Sequence, residues 1–223
     1  IHFLRAAVGL PGSVGPDEEG GCRDADVAQA IRFAADAGAQ VINLSVGGSQ
    51  PSPMFLEALR YAVSKGTFVA IAAGNSFEER NPVQYPAAYA ADLDGVVAVG
   101  AIGRSKRRSY YSSTGTYVEL VAPGGDNRAD GAAGVIYQTG MRDADFDPVT
   151  VIVPRFDRYF DKPQQGTSMA APHVAGLAAL LYSQGINNPG AIERAMKRFA
   201  QDLGPQGRDN EYGSGLIDAR ATL

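Results

Sequence analysis

Three short apolar runs, each leading into glycine, constrain this chain more than any other feature: residues 41–44 (Val-Ile-Asn-Leu), 67–73 (Thr-Phe-Val-Ala-Ile-Ala-Ala) and 95–101 (Gly-Val-Val-Ala-Val-Gly-Ala). Runs of this length that are apolar on both faces read as buried parallel strands, with their C-terminal ends at the ligand-binding edge of a sheet. Helical stretches alternate with them. Asp24 is placed to cap the first helix, in which Val27, Ile31, Ala34 and Ala35 share a face, and Gly38 ends it. Residues 53–65 form the next, with Phe55, Ala58, Leu59 and Ala62 inward and Gly66 closing it. Strands alternating with helices predict an α/β fold built on a doubly wound parallel sheet.

The chain has 223 residues, enough for one such domain with a sizeable core. With 45% hydrophobic residues, 27 glycines and 13 prolines, it is globular in composition and rich in turns. A net charge of -4 argues against nucleic acid as a partner. No apolar run is long enough to span a bilayer. One cysteine, Cys22, permits no internal disulfide.

Residues 1–8 read as a further strand, followed by a Gly, Pro and acid-rich loop over 9–21. With Ile1 in first place and a strand beginning at once, the chain is expected to start inside a domain. Further on, Gly100-Ala101-Ile102-Gly103 lacks the spacing of a phosphate-binding loop, and the basic run 104–108 reads as a solvated turn. Residues 126–165, with Asp143, Asp145, Asp147 and an aromatic cluster over 156–160, read as a surface insertion. A calcium loop or a substrate-facing flap are the alternatives. A last helix is expected over 188–200, with Pro189 near its start.

Two stretches carry chemistry. The run Gly166-Thr167-Ser168-Met169-Ala170-Ala171-Pro172-His173-Val174-Ala175-Gly176 opens an apolar helix, with Ser168 at or just inside its first turn. Helix N-termini favour negative charge, so a serine there can attack a carbonyl while the terminus helps hold the resulting oxyanion. Pro172, this near the helix start, is expected to cost little. The second stretch is Gly74-Asn75 at the end of an apolar strand. An asparagine amide donates to an oxyanion without titrating, and a glycine lets substrate lie against backbone. A Gly-Asn pair alone would be an ordinary turn.

Together with Ala72-Ala73-Gly74-Asn75, Tyr85-Pro86, Ala122-Pro123-Gly124 and the closing Tyr212-Gly213-Ser214-Gly215, the Ser168 run resembles the subtilisin-like serine proteases over nearly the whole chain. The resemblance implies a subtilisin-like doubly wound sheet lacking its N-terminal segment, and a peptide or protein substrate cleaved through an acyl-enzyme at Ser168. It implies Asn75 as oxyanion donor and Ser45-Val46-Gly47 as an edge that pairs with the substrate backbone. It also places Ala72, Ala73, Gly74 and Gln84 at the substrate. Such proteases usually carry a small residue before the Tyr-Pro; Gln84 narrows or plugs the pocket floor and leaves its preference open. No cofactor is required by the resemblance, and Glu119 matches a position that can help hold a weakly bound calcium ion. Secretion is implied in the same way.

The base is what this sequence lacks. The family's triad runs Asp, His, Ser along the chain. His2 has none of the expected surroundings, and His173, five residues past Ser168, points away from it at about 100° per residue. Asp94-Gly95 comes nearest to the aspartate setting but lies elsewhere in the order. Three readings follow: the C-terminal part of a protease completed by a missing N-terminal segment, a pseudoprotease that only binds peptides, or a fragment inert until reassembled. The isolated chain is expected to show no appreciable proteolysis.

Overall fold

The computed structural model describes residues 23–141 and 159–223. The strand expected over residues 1–8, the loop after it, His2, Cys22 and the aspartates at 143, 145 and 147 lie outside the described residues. The chain runs through α1 (Asp24–Asp36), β1 (Val41–Leu44), α2 (Pro53–Ser64), β2 (Phe68–Ala72), a 3-10 turn (Ala87–Asp92), β3 (Val96–Ile102), β4 (Val118–Pro123) and the short α3 (Asn127–Asp130). It continues through β5 (Ile136–Met141), β6 (Tyr159–Gln164), α4 (Thr167–Ser183), α5 (Pro189–Phe199) and the short α6 (Ala219–Thr222).

Strands β1 to β4 pair in parallel, in chain order, with Val41 opposite Phe68, Val69 opposite Val96 and Val99 opposite Leu120. The strands alternate, but both of their faces are apolar. Ile42, Val69, Ile71, Val96 and Ala98 pack with Val27, Ile31, Leu59 and Ala62 of α1 and α2. Phe68, Ala70, Val97, Val99, Leu120 and Ala122 meet Ala170, Val174, Leu177 and Leu181 of α4, with Ile192 and Met196 of α5. Helices therefore cover both faces, as a doubly wound sheet requires. Each large side chain taken out of water contributes about 1.5–3 kcal/mol, and Phe68, Leu59, Ile71, Leu120 and Leu181 are all fully buried.

The first helix starts at Asp24 itself, so the cap lies one residue earlier than expected. Arg23 holds the cap position without a side-chain bond, and Asp24 and Asp26 lie in the first turn, where they complement the positive helix end. Gly38 and Gly66 end their helices with φ of 80° and 86°, a left-handed backbone that suits glycine. In α5, Asn188 is a true cap: its side chain accepts from the Ala191 N–H at 2.9 Å. The described part of the 126–165 stretch holds the short α3, a 3-10 turn (Gly131–Gly134) and an antiparallel pair, β5 with β6, whose second strand leads into Gly166.

Candidate active site

The C-terminal ends of β1 and β2 and the N-terminus of α4 meet at one edge of the sheet. Three side chains join them. Asn75 Oδ1 accepts from both the backbone N–H and the hydroxyl of Thr167, each at 2.9 Å. The Thr167 hydroxyl in turn accepts from the Gly74 N–H at 3.2 Å. Ser45 Oγ donates to the Ser168 carbonyl at 3.0 Å and accepts from Asn43 Nδ2 at 3.1 Å.

The Ser45 contact has a covalent cause. Pro172 is the sixth residue of α4, beyond the first turn, which corrects the expectation that its missing N–H costs little because first-turn N–H groups lack partners anyway. An N–H at position 172 would have bonded the carbonyl four residues back, at Ser168. The hydroxyl from β1 satisfies that carbonyl instead.

Because both Thr167 groups take Asn75 Oδ1, the amide's orientation is fixed and its Nδ2 is turned to open space. Gly166 has φ of 149°, and the point where a Cβ would stand lies 3.5 Å from Asn75 Nδ2 and 3.7 Å from the Ser168 N. Among the described residues neither Nδ2 nor the Ser168 N–H has an acceptor. Two donors thus flank one small space beside a half-buried serine at a helix N-terminus. Thr167, fully buried, sets this geometry. In the sequence Thr167 stands only as one member of the run 166–176, and nothing local marks the role that its burial between strand end and helix start gives it.

The remaining candidates surround this space. Ser45 and Gly47 are exposed and Val46 is half-buried, and their backbone groups hold no backbone hydrogen bond among the described residues. Their run ends where Gly48 and Tyr85 exchange a pair of backbone bonds at 2.9 and 2.7 Å. With Asp24, Val27, Phe55 and Tyr85 they line a cavity of about 440 Å³. Ala72 and Ala73 are core residues at the strand end. Their methyl groups face opposite sides of the sheet, and the Ala73 N–H and carbonyl bond to Val99 and Tyr117. Gly74 and the exposed Asn75 are the first residues of that run to reach the edge. Gln84 is buried beside Gly74, and the Tyr85–Pro86 bond is cis.

The potential calcium position is taken up differently. Glu119 Oε1 accepts from Lys197 Nζ at 2.7 Å, and Lys197 also bonds Glu193. Burial, then the neighbouring Glu193 carboxylate, push Glu119 up to about 7 despite Lys197. Burial works against the Lys197 ammonium, but the two carboxylates outweigh it and hold its pKa above the usual value. A cation at Glu119 would have to compete with that ammonium. Among the described residues no group of three or more His, Cys, Asp or Glu side chains is arranged to hold a metal.

Among those residues His173 is the one histidine. It is exposed, and its Nδ1 lies 2.9 Å from the Met169 carbonyl one turn back, which ties the ring to its own helix. Asp94 is exposed at the start of β3 and faces Arg194 at 3.7 Å.

Residues 8–215 match the Subtilase family, nearly the whole chain. The chain belongs to the subtilase family. Its relatives include the thermophilic serine proteinase of Bacillus sp. (strain AK1), 38% identical over 88% of this chain and 41% of that protein. Subtilisin BL of Lederbergia lenta is 33% identical over 87% of this chain and 60% of that protein. Among solved structures a lanthipeptide protease superposes with a TM-score of 0.72 at 28% identity, over 92% of this chain and 67% of that one. Fervidolysin of Fervidobacterium pennivorans, described as a keratinolytic enzyme related to subtilisin, gives 0.68 at 30% identity, over 90% and 29%. The subtilase fold is thus shared, while the chain spans only about two fifths to three fifths of the relatives' length. No described helix is long and apolar enough to cross a membrane.

Proposed function

We propose that this subtilase chain supplies the nucleophile, oxyanion donors and peptide-binding edge of a serine endopeptidase. One observation carries the reading: Asn75 Nδ2 and the Ser168 N–H flank a single unoccupied space beside Ser168 at the N-terminus of α4. A peptide carbonyl oxygen placed there would gain two hydrogen bonds as it becomes negative. Ser168 Oγ attacks the carbonyl carbon and its proton passes to a base. The C–N bond then breaks, the amine leaves with that proton, and water hydrolyses the Ser168 ester to a carboxylic acid. The free backbone groups of Ser45, Val46 and Gly47 pair with the substrate main chain, which gives affinity with little demand on sequence.

The base comes from a segment of the same domain outside the described residues. Two features support this. His173 is exposed and held to its own helix. The helix bearing Ser168 is apolar on most sides, yet Pro172, His173, Gly176 and Leu180 form an exposed row at helical spacing, with Leu180 48% exposed. A completing segment would cover that row and bring the base to Ser168. The substrates are peptides or proteins, met outside the cytoplasm; no cofactor is required, a bound calcium ion being compatible with the reading, and neither nucleic acid nor membrane takes part.

A pseudoprotease that binds peptides at Ser45-Val46-Gly47 is the second reading, favoured by the lack of a base beside Ser168 among the described residues. The two separate on treatment with a serine-directed fluorophosphonate, with and without the completing segment, followed by mass spectrometry. An adduct at Ser168 only on completion supports the protease. No adduct in the completed protein leaves the binding module.

A further inference from the structure

Residues 109–113 belong to no helix or strand, yet Ser109, Ser112 and Ser113 are fully buried and Tyr111 nearly so. Three enclosed serine hydroxyls and a phenol have to find their partners inside the protein. Those partners lie on both sides of the space beside Ser168.

On one side is the loop that carries Asn75. The Ser113 N–H donates to the Gly74 carbonyl at 2.9 Å, and Ser113 Oγ accepts from the Ser76 N–H at 3.1 Å. A single residue therefore grips the chain just before and just after Asn75. The Tyr111 carbonyl adds a bond from the Phe77 N–H at 3.1 Å. On the other side is the turn that meets the start of α4. The Gly166 N–H donates to the Gly124 carbonyl at 2.9 Å. The Tyr111 hydroxyl lies 2.9 Å from that same carbonyl and 2.6 Å from the Gly125 carbonyl, to which Ser109 Oγ also donates at 2.8 Å. Burial pushes the Tyr111 phenol up to about 12, so at neutral pH it stays a donor. This turn has no slack: a Cβ on Gly124 would fall 2.4 Å from that of Ala101 and 2.8 Å from the Gly166 carbonyl oxygen. The stretch itself is tied to β3, by the Ser109 N–H on the Ala101 carbonyl and the Ala101 N–H on Ser112 Oγ, each at 3.0 Å.

We propose that residues 109–113 brace the site from behind, Ser113 and the Tyr111 hydroxyl being positioning residues that set the spacing between the Asn75 amide and the Ser168 N–H. Neither touches substrate. The inference rests on the proteolytic reading for its effect on turnover, whereas the brace itself is read without turnover. Two donors serve one oxygen only if both stand within hydrogen-bond distance of it, and small displacements at a reacting centre are costly in rate.

Tyr111→Phe removes one oxygen and keeps the ring. The Gly124 carbonyl then keeps the Gly166 N–H and the Gly125 carbonyl keeps the Ser109 hydroxyl, so the variant should fold. Ser113→Ala frees the Ser76 N–H. In the completed protein each change should lower kcat about tenfold with KM nearly constant. In an Asn75→Ala background the same changes should matter less than about twofold, because one remaining donor has no spacing to keep. Equal losses in both backgrounds overturn the proposal, as does a loss confined to KM or no loss at all. On the 223-residue chain, without substrate, amide hydrogen exchange is followed by NMR. It should rise about fivefold at Gly166 in Tyr111→Phe and at Ser76 in Ser113→Ala, with β2 and β3 unaltered. Unchanged exchange at these amides, or a uniform rise along the chain, overturns the brace. If Ser113→Ala fails to fold, Tyr111→Phe carries both measurements alone. A completed protein that hydrolyses no peptide sinks the protease reading instead, and the exchange result then decides the brace.

Discussion

The Ser45 hydroxyl donates to the Ser168 carbonyl at 3.0 Å, bridging residues 123 positions apart in the chain. It occupies the place of the helical N–H that Pro172 cannot provide. The proline and the serine therefore form one device: the first frees a carbonyl in the opening turns of α4, and the second pins that turn to the end of β1. Ser45→Ala should cost about 1 kcal/mol in stability and loosen the nucleophile's turn. In the complete protein kcat should fall up to about tenfold with KM nearly constant. A KM effect without a kcat effect would show that Ser45 acts only on substrate.

Thr167→Val keeps the shape of the buried side chain but removes its hydroxyl. Asn75 Oδ1 then keeps one of its two donors, and the Gly74 N–H loses its acceptor. The unpartnered N–H costs about 1–3 kcal/mol, measurable by denaturant unfolding. Turnover should fall more than binding, because the amide that must point at the oxyanion is less firmly held. Thr167→Ser should restore most of it. Equal turnover in the valine and threonine proteins would refute the positioning role.

Asn75→Ala removes the donor itself. Loss of such an asparagine costs about 10²–10³ in turnover, a magnitude carried over from subtilisin. The measurement is kcat at saturating peptide, with Ser168 labelling by fluorophosphonate as a check that the nucleophile persists.

Gly166→Ala tests the shared space directly. At φ of 149° an alanine is strained, and its Cβ would stand between the two donors. The backbone strain is about 1–3 kcal/mol, and the space proposed for the oxyanion is filled besides. We expect a folded protein with kcat/KM reduced at least 10²-fold. Full activity would move the oxyanion site elsewhere.

The buried Glu119, Lys197 and Glu193 group gives stability a pH dependence of defined sign. Folded Glu119 keeps its proton up to about 7, whereas the unfolded chain releases it near the ordinary glutamate value of 4.5. Between these values the folded state binds more protons, so this contribution to stability is greatest at the acid end and declines as pH rises toward 7. Its size is on the order of 2–3 kcal/mol. Glu119→Gln should flatten the melting temperature between pH 5 and 7. Lys197→Met, which leaves two carboxylates without their ammonium, should destabilise by about 3–5 kcal/mol at neutral pH and by less at pH 5. A melting temperature that rises over the same range would contradict this.

Strands β1 to β3 and helices α1, α2, α4 and α5 lie within a residue or two of where the apolar runs and glycines placed them, because burial leaves little choice of register or period. By contrast β4, the exposed β5–β6 pair and the short α3 and α6 carry no such pattern and were not placed. The first cap lies one residue from its expected place, since Arg23 and Asp24 both tolerate the boundary and no side chain caps a backbone N–H there; the Arg23 guanidinium pairs with Asp26 instead. The Ser168 and Asn75 motifs were legible as local patterns. Their convergence was not, for Thr167 joins them across 92 residues. Nor was the partner of Glu119, which comes from a helix turn 78 residues away.

By itself the sequence determined the layering of this protein: which residues must leave water, where each strand ends, and that a serine opens the most apolar helix. Those follow from local periodicity and turn chemistry, which act over a few residues. Only the tertiary structure decided that Thr167 orients Asn75, that Ser45 replaces a missing helical donor, and that Gln84 is buried against Gly74. Hydrogen bonds and packing between distant segments depend on distances that no short stretch of chain can specify.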